Sequence, residues 1–156
     1  MIYWFCGQSG TGKTTLANRL KLYFDILNRP SIHLDGDDLR KIFGGTYKQE
    51  HFVQEYRDTN TRKLQKFVEY IEAQGINVIV STVNSNKIIR EELKQRNPNV
   101  IEIIVINNKP FVREHNKYSD FEYPTDNFIS IDTGLEHDLE INFKKLLTEL
   151  TIKKCI

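Results

Sequence analysis

Gly7, Gly12, Lys13 and Thr14 fall at the spacing G-x-x-x-x-G-K-[ST] within the stretch FCGQSGTGKTT, residues 5–15. Glycines at 7, 10 and 12 let a backbone turn its N–H groups inward around an anion, and a helix opening at the lysine adds positive potential. In such a loop Lys13 reaches the β- and γ-phosphates of a nucleoside triphosphate, and the Thr14 hydroxyl suits Mg²⁺. The expected ATP-binding run is Gly7, Ser9, Gly10, Thr11, Gly12, Lys13, Thr14 and Thr15. A cradle of this kind identifies the nucleotide and leaves the reaction open, because hydrolysis, switching and phosphoryl transfer all begin from it.

A second polar cluster, LDGDDLR, crowds Asp35, Asp37 and Asp38 into an acidic turn, with Arg40 just beyond it. A carboxylate here can accept the proton of an acceptor hydroxyl or hold a Mg²⁺-bound water, and Arg40 can pair with an acceptor phosphate. A switch GTPase needs a base-reading N-K-x-D, which neither NNKP nor any other stretch supplies in order. A motor-type ATPase needs more machinery than 156 residues offer. A small kinase using ATP and Mg²⁺ fits best.

These clusters need elements to bring them together. Ile2 to Cys6 is a short apolar run ended by glycine, and Leu16, Leu20 and Phe24 recur at helical spacing after it, with Tyr23 and Leu27 widening the stripe. SIHL predicts a second strand, residues 51–75 a long helical segment stopped at Gly75, and NVIVST a third strand. KIIREELKQRN predicts a short helix, VIEIIVI a central strand too apolar to be half exposed, and FISID a fifth strand before a last helix. Residues 107–127 lack periodicity and read as a short lid, and the TIKKCI tail reads as a frayed helix end. Strands alternating with helices predict an α/β P-loop kinase fold over residues 1–156. Its five-stranded parallel sheet is covered on both faces, and the polar clusters lie at the carboxyl ends of its strands.

Composition narrows the partners. A formal charge of +1 gives no basic field for a nucleic acid polymer. No apolar stretch approaches the roughly 20 residues that span a bilayer. Only Cys6 and Cys155 occur, with no CxxC pair and no leader-like run, which reads as a reduced, cytoplasmic chain. Cys6 and the aromatic run Tyr3, Trp4 and Phe5 read as core. The four histidines, His33, His51, His115 and His137, are scattered without the spacing of a zinc site.

GQSGTGKTT followed by LDGDDLR resembles the adenylylsulphate kinase family, whose members move the γ-phosphoryl of ATP to a ribose 3′-hydroxyl of a nucleotide-linked substrate. FVQEYRDTNTRK is similar to the family segment with a stacking Phe, then Arg, then Asn, and STVNSN is similar to its loop after strand three. The resemblance implies Lys13, Asp35 and Asp37 as the catalytic set, with Asp37 as base or orienting group and Asp35 and Thr14 on the metal side. It implies that Arg40, Arg57 and Asn60 grip the acceptor nucleotide, that Phe52 stacks on its base and that Ser85 lies near it. The family is often dimeric, so the resemblance also admits a homodimer. Departures occur at Asp38, where the family has Asn, at Asn86, where it has Pro, and in the compact lid. They point to the branch similar to cytidine diphosphoramidate kinase, which serves capsule biosynthesis, with adenylylsulphate itself as the alternative acceptor and a silent ATP-binding subunit as the alternative of another class.

Overall fold

The computed structural model describes residues 1–42, 54–107 and 121–156. In chain order the elements are β1 (Ile2–Cys6), α1 (Lys13–Ile26), β2 (Ser31–Asp35), α2 (Gly36–Ile42), α3 (Gln54–Ala73), β3 (Asn77–Ser81), α4 (Lys87–Arg96), β4 (Val100–Ile106), β5 (Phe128–Asp132) and α5 (Leu139–Ile152). The five strands form one parallel sheet in the order β2-β3-β1-β4-β5. β1 therefore lies at the centre; the chain crosses from it to β2 at one edge, returns to β3 between the two, and then passes over to β4 and β5 on the other side. The loops after β1, β2 and β3 open at the same end of the sheet. That is where a sheet of this topology takes its ligand.

Strand β1 is buried along its whole length because both faces of the sheet are covered. Tyr3 and Phe5 pack with Leu16, Leu20 and Phe24 of α1 and with Phe143 and Leu146 of α5. Ile2, Trp4 and Cys6 face the other way, with Val68 of α3 and Leu93 of α4. The single Trp keeps its indole N–H satisfied by donating to the Thr82 hydroxyl at 2.8 Å. Burial pushes the Cys6 thiol well above its usual range, so this cysteine is a core residue without thiolate character.

Local readings hold with three differences. Leu16, Leu20 and Phe24 line the buried stripe of α1 and Tyr23 packs at its margin, but Leu27 is 44% exposed, because the helix ends at Ile26 and Leu27 is its C-cap. The acidic turn is helical: β2 runs on to Asp35, and Gly36 begins α2. Gly36 sits close under the neighbouring chain, since a Cβ there would lie 3.1 Å from the Thr82 methyl carbon and 3.4 Å from the Ser81 carbonyl oxygen. The C-terminal tail is docked and does not fray. Lys154 turns left-handed, the Cys155 N–H donates to the Leu150 carbonyl at 2.9 Å, and the Tyr3 hydroxyl donates to the Cys155 carbonyl at 2.5 Å. Cys155 and Ile156 close over the α1–α5 side of the core.

No helix among the described residues is long and apolar enough to cross a membrane. Of the expected lid, residues 108–120 lie outside the described residues, and Phe121–Pro124 have no regular structure.

Tyr3→Phe leaves the core volume intact and strips the tail of its hydrogen-bond donor. A loss of about 1 kcal/mol in urea unfolding is expected, together with faster amide exchange at Cys155 and Ile156.

Candidate active site

The loop from Gly7 to Gly12 wraps the carboxyl end of β1. Gly7 has φ 141°, and a Cβ placed there would sit 2.3 Å from the Val105 carbonyl oxygen, so only glycine lets the loop leave β1 this close to β4. Gly12, at φ 89°, caps α1 without a side-chain hydrogen bond, which leaves the first N–H groups of the helix to the concavity of the loop. The loop is braced from behind, where the Thr133 hydroxyl lies 2.8 Å from the Thr11 carbonyl oxygen and 3.1 Å from that of Ile106. Lys13 is only 8% exposed, and its ammonium donates to the Gln8 carbonyl at 2.5 Å. Burial pulls its pKa down to about 8, against the opposing pull of Cys6 and Asp35. This cation is held in a desolvated pocket where an anion is the natural complement.

Asp35 ties the loop to the acidic helix. Its Oδ2 accepts from the Thr14 hydroxyl at 2.8 Å and from the Ser81 hydroxyl at 2.7 Å, while Oδ1 accepts from the Asp37 backbone N–H at 2.8 Å. One carboxylate thus joins the first turn of α1, the end of β3 and the start of α2. The parallel register explains the geometry, since Asp35 and Ser81 are direct partners across β2 and β3. A hydroxyl beside a carboxylate is a hard-oxygen donor set of the kind Mg²⁺ takes through its own waters, so Thr14 and Asp35 fit the expected metal side.

The acceptor-side residues are brought together in part. The Asp37 carboxylate pairs with the Arg40 guanidinium one turn later on α2. Arg57 on α3 lies close enough to Arg40 that burial first, and the Arg40 charge second, lower its pKa. The two cations thus feel each other's charge, with Asp37 balancing that of Arg40. Asn60 follows Arg57 by three residues on α3 and is exposed. Asp38 points outward and pairs with Lys41 at 2.8 Å, so its added charge is partly balanced on its own helix. It also borders, with Thr14, Asn18, His33 and Asp35, a cleft of about 140 Å³. Phe52 lies outside the described residues.

Ser85 is buried, and its carbonyl, with that of Asn84, is gripped by one nitrogen of Arg90, at 2.9 and 2.7 Å. The other end nitrogen of Arg90 donates to the Glu122 carbonyl, its Nε donates to Glu102 at 2.5 Å, and its guanidinium carbon stands 4.7 Å from the centre of the Phe121 ring. Lys94 adds a second cation to Glu102 at 2.7 Å. Arg90 and Glu102 are 3% and 2% exposed. Between them they lock the Ser85 loop to the segment that follows residue 120. Asn86 is the N-cap of α4: its side-chain oxygen accepts from the Ile88 N–H at 3.0 Å, and its side-chain amide donates to Asp58 of α3 at 2.8 Å.

Ser81, Arg90, Glu102 and Thr133 carry this site without standing out in the sequence. Glu102 alone had a signal, as the one charge in an otherwise apolar strand. Ser81 becomes visible only once β2 and β3 are aligned.

A family model for adenylylsulphate kinase matches residues 1–119. The adenylyl-sulfate kinase of Synechococcus sp. (strain JA-3-3Ab) is 34% identical over 102 residues, covering 65% of this chain and 56% of the relative. The cytidine diphosphoramidate kinase of Campylobacter jejuni is 31% identical over 106 residues, covering 67% and 59%. The chain thus spans little more than half the length of these relatives. Among solved structures, the Mycobacterium tuberculosis APS kinase CysC in complex with AMPPNP and APS superposes with a TM-score of 0.76 at 16% identity, covering 96% of each chain.

Two outcomes test this geometry. The lowered Lys13 pKa means that, from about pH 8 up to the ordinary lysine range, the unfolded chain binds more protons than the folded one, so stability rises with pH across that window. Lys13→Met removes a rise on the order of 3 kcal/mol, read as the difference between the two proteins in urea unfolding at pH 7.5 and 10. Arg90→Ala leaves Glu102 buried beside Lys94 alone and frees the Ser85 loop. A loss of about 3–5 kcal/mol is expected in the same assay.

Proposed function

The chain belongs to the adenylylsulphate kinase family, and from that premise we propose that it transfers the γ-phosphoryl group of ATP to the ribose 3′-hydroxyl of a nucleotide-linked acceptor. The observation that carries this reading is the Asp35 carboxylate, which bonds the Thr14 hydroxyl of the phosphate loop and the Asp37 N–H of the acceptor side at once. A polar group at a fixed reach from the phosphate loop orients the nucleophile for in-line attack, and with Arg40 and Arg57 on the same side that nucleophile is read as an acceptor hydroxyl.

In this mechanism the phosphates of ATP lie on residues 7–15, with Lys13 displaced from the Gln8 carbonyl toward the β- and γ-oxygens. Mg²⁺ would be held by Thr14 and, through water, by Asp35. When bound it neutralises charge on the phosphates. Arg40 and Arg57 draw in the anionic part of the acceptor, Asn60 and the loop at Ser85 border its sugar, and Phe52 offers a face for its base. Asp37, steadied by Arg40, takes the proton of the 3′-hydroxyl as that oxygen bonds to the γ-phosphorus. The bond from the γ-phosphorus to the bridging oxygen breaks, and ADP leaves. Placement and charge neutralisation carry most of the rate, since the loose transition state asks for little covalent chemistry.

We place cytidine diphosphoramidate first as acceptor, supported by the relative from Campylobacter jejuni and by Asp38 and Asn86, where the chain departs from the adenylylsulphate pattern. Adenylylsulphate is the second reading, supported by the more numerous matches to adenylyl-sulfate kinases. Pairing of Asp38 with Lys41 reduces the repulsion its carboxylate would exert on either anion.

ATP, Mg²⁺ and each acceptor, followed by ³¹P NMR, will show a 3′-phosphomonoester on one of them. Product from adenylylsulphate alone removes the cytidine reading, and product from neither acceptor favours the silent subunit. Asp37→Asn is expected to lower turnover by roughly 10²–10⁴-fold while ATP affinity stays within about twofold. Unchanged turnover would remove Asp37 from the mechanism.

A further inference from the structure

His33 has no part in the mechanism above, yet it lies directly behind it. Its Nε2 stands 2.8 Å from the Ser81 Oγ, and its Nδ1 stands 2.8 Å from the side-chain amide of Asn18, one turn along α1 from Thr14. Ser81 has a single hydroxyl proton, and that proton goes to Asp35, because a carboxylate can only accept. The bond between His33 and Ser81 therefore runs from the Nε2–H to the serine oxygen. That leaves Nδ1 of the neutral ring to accept from the Asn18 side-chain amide, with its NH2 turned to that nitrogen. A donor at that point stops the hydroxyl from rotating away, so the Ser81 proton stays aimed at Asp35.

We propose that His33 is a positioning residue for the metal side of the site, acting through the Ser81 hydroxyl on the Asp35 carboxylate. The inference rests on the kinase reading in so far as Thr14 and Asp35 are the pair that holds Mg²⁺. Asp35 Oδ2 takes both hydroxyl protons, from Thr14 and from Ser81. With its proton committed to Asp35, Thr14 presents its lone pairs to the phosphate loop, where a cation would meet them. If Ser81 turns away, Asp35 Oδ2 keeps only the Thr14 contact and loses the donor that fixes its direction, so the Thr14 hydroxyl is held less firmly. His33 also spans β2, β3 and α1, so one ring aligns the three elements that meet at this carboxylate.

The test uses Mn²⁺ as a probe, titrated by electron paramagnetic resonance in the presence of the non-hydrolysable analogue AMPPNP. His33→Leu is expected to weaken nucleotide-dependent Mn²⁺ binding about three- to tenfold, with metal-free AMPPNP affinity unchanged. His33→Gln, whose amide reaches Ser81 as Nε2 does, is expected to restore binding to within about twofold. Ser81→Ala is expected to weaken binding by the same factor as His33→Leu, and the double variant no further, since both act through one hydroxyl. Ser81→Ala and His33→Gln decide the matter even where His33→Leu unfolds, because neither opens a large cavity. Equal Mn²⁺ affinity in the wild type and in Ser81→Ala overturns the inference alone, as does additivity of the two substitutions. The absence of any nucleotide-dependent Mn²⁺ site in the wild type overturns the metal side of the kinase reading and this inference with it.

Discussion

The geometry of the candidate site depends on one carboxylate. Asp35 hydrogen-bonds at once to the first turn of α1, the end of β3 and the Asp37 backbone N–H in the first turn of α2. A charged acceptor with several donors makes stronger and more directional bonds than neutral groups do. Its placement follows from the sheet, since a residue at the carboxyl end of β2 faces both the loop after the central strand and the end of the strand between them. Proximity of a phosphate cradle to a group able to orient an acceptor is thus set by hydrogen bonding to a strand end, with no long loop needed to bridge the two.

Burial of the sheet on both faces makes that placement rigid. β1 contributes to two cores at once, and the chain around it has little freedom to shift. The close approach of Gly7 to the Val105 carbonyl is the local expression of this tightness. Where the loop leaves β1 there is no room for a methyl group, so the phosphate-binding conformation is built into the packing of two neighbouring strands. Lys13 carries the opposite strain, as a cation held where water is scarce. A site that keeps an under-solvated cation in an anion-shaped loop sacrifices stability for readiness to bind.

On the far side, the buried Arg90 and Glu102 perform a task that apolar residues could not. Buried ion pairs contribute little net stability against a hydrophobic alternative. Arg90, however, spends its remaining donors on the backbone of residues 84, 85 and 122, so the pair fixes where the Ser85 loop stands against the segment after residue 120. Asn86 performs a related task, capping α4 and tying it by a hydrogen bond to Asp58 of α3.

Much of this was legible in the residues alone. The glycine spacing, Lys13 and Thr14 announce a phosphate loop because few other functions require that backbone, and alternating apolar runs announce a parallel sheet because helices must cover both of its faces. Local signals misled at the ends of elements: Leu27 continues the helical period but falls on a cap, the acidic turn is helical because Asp35 caps it, and the tail docks because Tyr3 of the first strand reaches Cys155. Ser81, His33 and Arg90 stayed hidden because their roles depend on the assembled sheet. Their partners are far away in sequence, and strand register alone brings Ser81 opposite Asp35. Sequence by itself determined the nucleotide loop, the fold class and the candidate carboxylates, since these depend on short spacings and on side-chain type. Only the tertiary structure decided which carboxylate joins the two halves of the site and which hydroxyls it holds, because hydrogen bonds form between neighbours in space and the order of strands in the sheet differs from their order in the chain.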